Sequence, residues 1–162
     1  MKIYHGSTFK VEEPNIGVLN FKTDFGKGFY TTSDIDQAKK WAIIKKRRTN
    51  SENAFINVYE YTINKNLEIL NFEKANGKWL DFIYDNRRSN TLIHQYDVVK
   101  GPVANDNLFG TLKLFEDNEI TKKETLKRLK TYKLSNQISF HTKDALNSTK
   151  FIDTMEVNDE KD

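Results

Sequence analysis

Three short segments hold the residue types with which this chain could do chemistry. Tyr4-His5-Gly6-Ser7 lies near the start, Gly26-Lys27-Gly28-Phe29-Tyr30-Thr31-Thr32 follows, and Asn136-Gln137-Ile138-Ser139-Phe140-His141 comes late. The middle segment belongs to a longer run, Asp24 to Ala42, that mixes glycines, aromatics and hydroxyls ahead of a helix start. Such a mixture suits a core strand badly, because glycine weakens strands and hydroxyls need partners. It suits a pocket whose backbone must come close to a flat ligand, and the run reads as a binding segment.

Other chemistries fall away on composition and spacing. The chain has no cysteine, which removes disulfides, thiolate metal sites and a cysteine nucleophile. His5, His94 and His141 lack ligand-like spacing, so no metal is expected. Asp24-Phe25-Gly26 matches the magnesium-binding tripeptide of kinases, but the phosphate loop, strand lysine and catalytic loop that must precede it are missing. Gly26-Lys27-Gly28 lacks the spacing and the Gly-Lys-Ser or Gly-Lys-Thr of a phosphate-cradling loop.

The elements that must position these segments can be read from pattern. At 162 residues the chain makes one domain with a core of its own, expected over residues 1–157 with an acidic, disordered tail at 158–162. Strands are predicted at Lys2 to His5, Gly28 to Thr31, Ala54 to Ile63, Leu67 to Leu70, Val98-Val99, Asn136 to Phe140 and Phe151 to Val157. Thr8 to Asp24 reads as a long loop. A helix from Asp34 to about Arg48 is predicted, with Ser33 as its N-cap and Ile35, Ala38, Trp41 and Ala42 on one face. Further helices are expected at Lys74 to Asn86, at Asn107 to Glu116, from a Thr121/Glu124 capping box to Lys130, and after Thr142. Strands and helices without βαβ regularity give an α+β class.

The net charge is +3, with basic clusters at Lys39-Lys40, Lys45 to Arg48 and Lys122 to Lys133. Solvated helix faces are the ordinary reading of such clusters, and a phosphate-binding surface is the other. No apolar leader opens the sequence and no apolar run reaches bilayer length, so a cytoplasmic protein without membrane contact is expected.

Five blocks, Tyr4 to Ser7, Asp24 to Ala42, Trp79-Leu80-Asp81-Phe82, Tyr96 to Asp106 and Asn136 to Thr142, together resemble a small bacterial family of uncharacterised-domain proteins, DUF3990, over nearly the whole chain. The three chemical segments are also similar to the signature segments of ADP-ribosyltransferases of the diphtheria-toxin and poly(ADP-ribose)-polymerase type, whose pattern is histidine, tyrosine and glutamate. That resemblance implies two small β-sheets framing an NAD cleft, with flanking helices. It implies mono-ADP-ribosyl transfer from NAD, as substrate, to a macromolecular acceptor, protein or nucleic acid. By the same analogy the protein would be a toxin, defence or effector protein with an antitoxin or immunity partner.

The resemblance puts His5, Tyr30 and Gln137 in the catalytic places, and Tyr4, His5, Gly6, Ser7, Gly28, Phe29, Tyr30, Thr31, Thr32 and Trp41 around NAD. On that reading Tyr30 stacks on the cationic nicotinamide and Trp41 closes over it. Gly6 offers its N–H and C=O to the carboxamide, and His5 holds a ribose hydroxyl. Taken singly, each has an ordinary explanation: a strand-end histidine held by hydrogen bonds, and aromatics in a core.

Gln137 departs from the wider pattern. Glutamine keeps a hydrogen bond to ribose but loses the charge that stabilises a cation-like sugar, and losing one such preorganised group costs roughly a hundred- to thousandfold in rate. A catalytically inactive NAD-binding, ADP-ribose-binding or protein-interaction module of the same fold is therefore the alternative. Asp97 and Asp106 bracket the Val98 to Pro102 block and are the acids weighed as stand-ins for the missing charge, with helix capping the more ordinary duty for Asp106. Ser139 is expected to share the strand face of Gln137, and Asn136 and His141 to lie on others.

Overall fold

The computed structural model describes residues 1–17, 23–104 and 106–159, without the side chains of residues 106 and 107. In these, seven strands and five helices alternate irregularly. The strands are β1 (Lys2–Ser7), β2 (Phe29–Thr31), β3 (Phe55–Tyr61), β4 (Ile69–Asn71), β5 (Val98–Pro102), β6 (Asn136–Phe140) and β7 (Thr149–Glu156). The helices are α1 (Ile35–Thr49), α2 (Gly77–Arg88), α3 (Asp106–Glu116), α4 (Lys122–Leu129) and α5 (Lys143–Leu146). Two small sheets result, ordered β1-β3-β7 and β2-β6-β5-β4, with only the β4–β5 pair parallel. The α+β expectation with two small sheets and flanking helices holds.

Strand alternation sorts the side chains into layers. Ile3, Phe29, Tyr59, Tyr61, Val98, Ile138 and Phe140 fill the space between the sheets. Ile56 and Val58 turn outward to meet Ala38 and Ala42 of α1. On the far side of the four-stranded sheet, Phe25 and Val99 pack with Trp79, Leu80 and Ile83 of α2, Leu108 and Leu112 of α3, and Leu129 of α4. The sheets touch edge to edge where Tyr4 and Thr32 exchange backbone hydrogen bonds of 2.8 and 2.9 Å.

Several expected boundaries move. Asp34, not Ser33, caps α1: its Oδ1 accepts from Asp36 N and Gln37 N at 3.0 and 3.3 Å, while Ser33 Oγ takes Asn136 Nδ2 at 2.6 Å. The inward face of α1 is also narrower than predicted, since Ile35 is 40% exposed and Gln37, Ala38 and Ala42 are the buried residues. α2 starts later than Lys74 because Asn76 caps it through Trp79 N. Thr121 caps α4, but Glu124 pairs with Arg128 at 3.2 Å instead of completing the capping box. β1 runs on through Gly6 and Ser7 because β3 continues opposite them at Ile56 and Phe55.

Residues 18–22 of the predicted loop and 160–162 of the predicted tail lie outside the described residues, and Asp159 pairs with Arg47 at 3.0 Å. Among the described residues no helix is long and apolar enough to cross a membrane.

Candidate functional site

The first part of the site is the seam between β1 and β2. After the Tyr4–Thr32 bridge no further bridge joins the two strands among the described residues. Tyr30 O, the acceptor that a continued ladder would turn toward Gly6, is instead 2.6 Å from His5 Nδ1. A carbonyl only accepts, so Nδ1 carries the proton and Nε2 is the imidazole's acceptor. The half-buried His5 ring stacks on Phe29 with centroids 4.3 Å apart. Burial, the nearby Lys45 ammonium adding to it and the Tyr30 carbonyl opposing it, pushes its pKa down to about 3.

Gly6 is pressed against α1. A Cβ there would stand 2.2 Å from Ala38 O and 2.7 Å from Ala42 N, with Trp41 Cβ at 3.1 Å. Helix packing thus accounts for the glycine without a ligand. Gly6 O accepts from Lys45 Nζ at 2.8 Å, and burial lowers that ammonium to about 8. Tyr4 packs toward α1, Ser7 is buried, and Trp41 is half-buried on the helix beside Gly6.

The hydroxyls of the middle segment find partners on β6. Thr31 Oγ1 donates to Ile138 O at 2.9 Å and Thr32 Oγ1 to Asn136 O at 2.7 Å. They rivet β2 to β6. The Tyr30 ring turns to the side opposite His5, packing near Phe25, with its hydroxyl donating to Gly26 O at 2.5 Å and accepting from Phe25 N at 3.0 Å. Burial pushes the Tyr30 hydroxyl above its ordinary pKa. Gly28 lies against Phe140 O and the His141 ring.

The second part of the site lies on that same side. Gln137 is 3% exposed, and its Nε2 donates to Asp24 Oδ2 at 2.9 Å and to Pro102 O at 3.3 Å. Asp24 Oδ2 also accepts from Ala104 N at 3.3 Å. Burial raises the Asp24 carboxyl above the usual carboxylate range, while the Gln137 amide and the Arg87 guanidinium pull it back down. Two acceptors around one amide nitrogen settle the orientation of the side chain: nitrogen faces Asp24, and Oε1 is left as an acceptor.

Asp24 is the residue that sequence reasoning missed. It heads the run singled out as a binding segment, yet nothing in its spacing announces a partner 113 positions away. Of the acids considered in its stead, Asp97 does other work. Asp97 bonds Glu68 N and Thr142 Oγ1 at 2.9 and 2.6 Å, and the side chain of Asp106 lies outside the described residues, α3 itself beginning at Asp106. His141 joins the Gln137 face after all: its Nε2 accepts from Ser139 Oγ at 2.7 Å and its Nδ1 donates to Lys27 O at 2.7 Å. Burial lowers it to about 4. His94, also lowered by burial, stands edge-on to it at 4.5 Å and binds Phe25 O at 2.7 Å, so both histidines hold the turn before β2.

The structure therefore gathers His5, Phe29, the Tyr30 backbone, Gly6 and Trp41 at one seam, and the Tyr30 ring, Gln137 and Asp24 on the other face of β2 and β6. A separate cleft of about 660 Å³ runs over Lys40, Lys100, Lys133 and Asn136 and includes none of His5, Tyr30 and Gln137. The basic clusters are partly neutralised, through Lys122–Asp81 at 2.6 Å and Arg128–Glu124 at 3.2 Å.

Fold and seam define an α+β domain of two small sheets joined at one edge bridge. The chain belongs to the family described as protein of unknown function (DUF3990), whose model matches residues 1–151. None of the curated proteins searched matches it.

Proposed function

We propose that the protein is a mono-ADP-ribosyltransferase, with a fold of the ADP-ribosyltransferase kind, that moves ADP-ribose from NAD to a protein or nucleic-acid acceptor. One observation carries this reading: β1 and β2 part after a single bridge, and His5 holds the gap open by taking the Tyr30 carbonyl. A gap between two backbone edges, rimmed by Gly6 and Trp41, suits a flat carboxamide-bearing ring. NAD supplies a glycosidic bond that breaks with its electron pair leaving on nicotinamide; an acceptor lone pair then makes the new bond to ribose and the acceptor's proton passes to solvent.

The chain's residues have matching duties. His5 stays neutral at physiological pH, so Nε2 accepts a ribose hydroxyl. Gln137 Oε1 lies on the opposite face of β2 and β6, so it serves as a second acceptor only for a ligand that extends past the seam to that face. Lys40, Lys100 and Lys133 along the neighbouring cleft suit an anionic group such as a diphosphate. A cytoplasmic toxin, defence or effector role, with an antitoxin or immunity partner, belongs to the same proposal.

A catalytically silent NAD or ADP-ribose binding module is the second reading, favoured by Lys45 Nζ, which occupies the Gly6 carbonyl that a carboxamide would use. Incubation with NAD labelled in its adenylate half, with lysate protein, RNA and DNA present, separates the two. Labelled macromolecule or released nicotinamide supports the transferase; saturable binding without turnover supports the module; no binding sinks both. His5→Ala and Tyr30→Ala are expected to abolish labelling.

A further inference from the structure

We propose that Asp24 is the positioning residue of Gln137: by accepting from Nε2 it aims Oε1 as an acceptor and supplies, through the amide, the negative charge that glutamine lacks. The inference rests on the transferase reading of the same site. Its ground is geometric. Nε2 of the buried Gln137 lies 2.9 Å from Asp24 Oδ2 and 3.3 Å from Pro102 O, and both hydrogen bonds use the nitrogen. Asp24 is itself held by Ala104 N at 3.3 Å. A carboxylate accepting from one end of an amide draws electron density toward the oxygen at the other end, and in a poorly solvated site such polarisation is strong.

The surroundings act on this carboxyl in both directions: burial and Glu116 oppose its charge, while Arg87, the Gln137 amide and Ala104 N favour it. Arg87 of α2 acts on Asp24 as a nearby cation, and Glu116 of α3, which takes Arg87 Nε at 3.3 Å, acts as a nearby anion. Arg87 Nη1 is buried without a hydrogen-bond partner among the described residues, so part of that cation's hydrogen-bonding capacity is unspent beside the pair. Tyr30 faces the same carboxylate from β2. A second consequence follows for the substitution that fold resemblance suggests first. Replacing Gln137 by glutamate sets a carboxylate against Asp24 Oδ2 and against the Pro102 carbonyl, an arrangement of acceptors facing acceptors that must capture a proton. A glutamate alone is therefore the wrong repair, and the charge has to be moved, not added.

The test compares four proteins, wild type, Asp24→Asn, Gln137→Glu and Asp24→Asn/Gln137→Glu, by nicotinamide release from NAD and by urea unfolding. Asp24→Asn keeps a hydrogen-bonding group of the same size and removes the charge; it is expected to lower kcat about a hundredfold with KM for NAD changed less than about threefold. Gln137→Glu is expected to give no gain in kcat and to unfold earlier than wild type. The double variant, with one carboxylate and one amide exchanged in place, is expected to recover kcat to within about tenfold of wild type and to unfold later than Gln137→Glu. Unchanged kcat in Asp24→Asn, or a double variant no better than either single one in both measurements, overturns the inference while wild-type turnover leaves the transferase reading standing. A wild type that neither binds nor cleaves NAD overturns both. Should Asp24→Asn fail to fold, the Gln137→Glu comparison with the double variant still decides.

Discussion

The two parts of the candidate site are held in opposite ways. At the seam, His5 hangs on a single backbone acceptor, Gly6 is wedged under a helix, and the nearest charge is the Lys45 ammonium. Across β2, Gln137 is buried, doubly bonded through one nitrogen, and its neighbour is the Asp24 carboxylate. The contrast teaches that, on the transferase reading proposed above, a ligand at the seam has to displace the long Lys45 side chain from Gly6 O, whereas the glutamine is held in place by two hydrogen bonds. On that same reading the two parts would divide the work, the seam binding and the Gln137–Asp24 pair stabilising charge.

The contrast breaks most sharply at His5. His5→Ala is expected to cut labelling from NAD at least about a hundredfold, and a thermal melt within a few degrees of wild type would confirm that the loss lies in the seam and not in the fold. Next in size is Gly6→Ala. Its methyl would enter the space of Ala38 O and Ala42 N, so overpacking is expected to cost about 3 kcal/mol of stability, read by urea unfolding. An unaffected protein would mean that α1 gives way easily and that the seam is softer than described.

Tyr30→Phe tests the other face. Losing the hydroxyl leaves Gly26 O and Phe25 N without that partner and is expected to cost about 1 to 2 kcal/mol while keeping the ring. Labelling by this variant should far exceed that of Tyr30→Ala if the ring is what the ligand uses.

Acid is expected to weaken the fold. The folded values of His5 and His141 are about 3 and about 4 against an ordinary 6.5, so below pH 6.5 the unfolded chain takes up protons that the folded one refuses, and stability falls as pH drops. Asp24 works with the opposite sign. Its value is raised, so the folded chain keeps a proton that the unfolded chain has lost, and stability is gained as pH falls toward 3.8. Urea midpoints between pH 7 and 4 should therefore decline, and decline more steeply in Asp24→Asn. The smallest effect is reserved for the basic helix: neutralising Lys122, Lys123, Lys127 and Arg128 is expected to leave labelling and its salt dependence unchanged and to cost less than about 1 kcal/mol, because exposed ion pairs such as Lys122–Asp81 contribute little.

Much of the fold was legible in local pattern. The alternation of Ile56, Val58, Tyr59 and Tyr61 marked β3, and Thr121 and Thr142 marked helix starts, because periodicity and capping depend on near neighbours. Competition between adjacent groups was harder to see. Ser33 and Asp34 both suit an N-cap, and only the arrival of Asn136 at Ser33 Oγ decides between them. The hydroxyls of Thr31 and Thr32, which suggested a ligand, spend themselves on the β6 backbone. Gly6, read as a place where a ligand approaches, is also the place where a helix does.

The sequence by itself determined the class of the domain, its short strands, the helix that follows β2, and the three segments in which chemistry could reside, because each of these depends on residue type and short-range spacing. Only the tertiary structure decided which groups meet. It sent the Tyr30 ring and the His5 ring to opposite faces of one strand, left Asp97 to a structural duty, and laid Asp24 against Gln137 across 113 positions of chain. The physical reason is that a hydrogen bond between distant residues depends on strand register and on which side of a pleat each residue falls, and both are settled when the two sheets pack around their shared core.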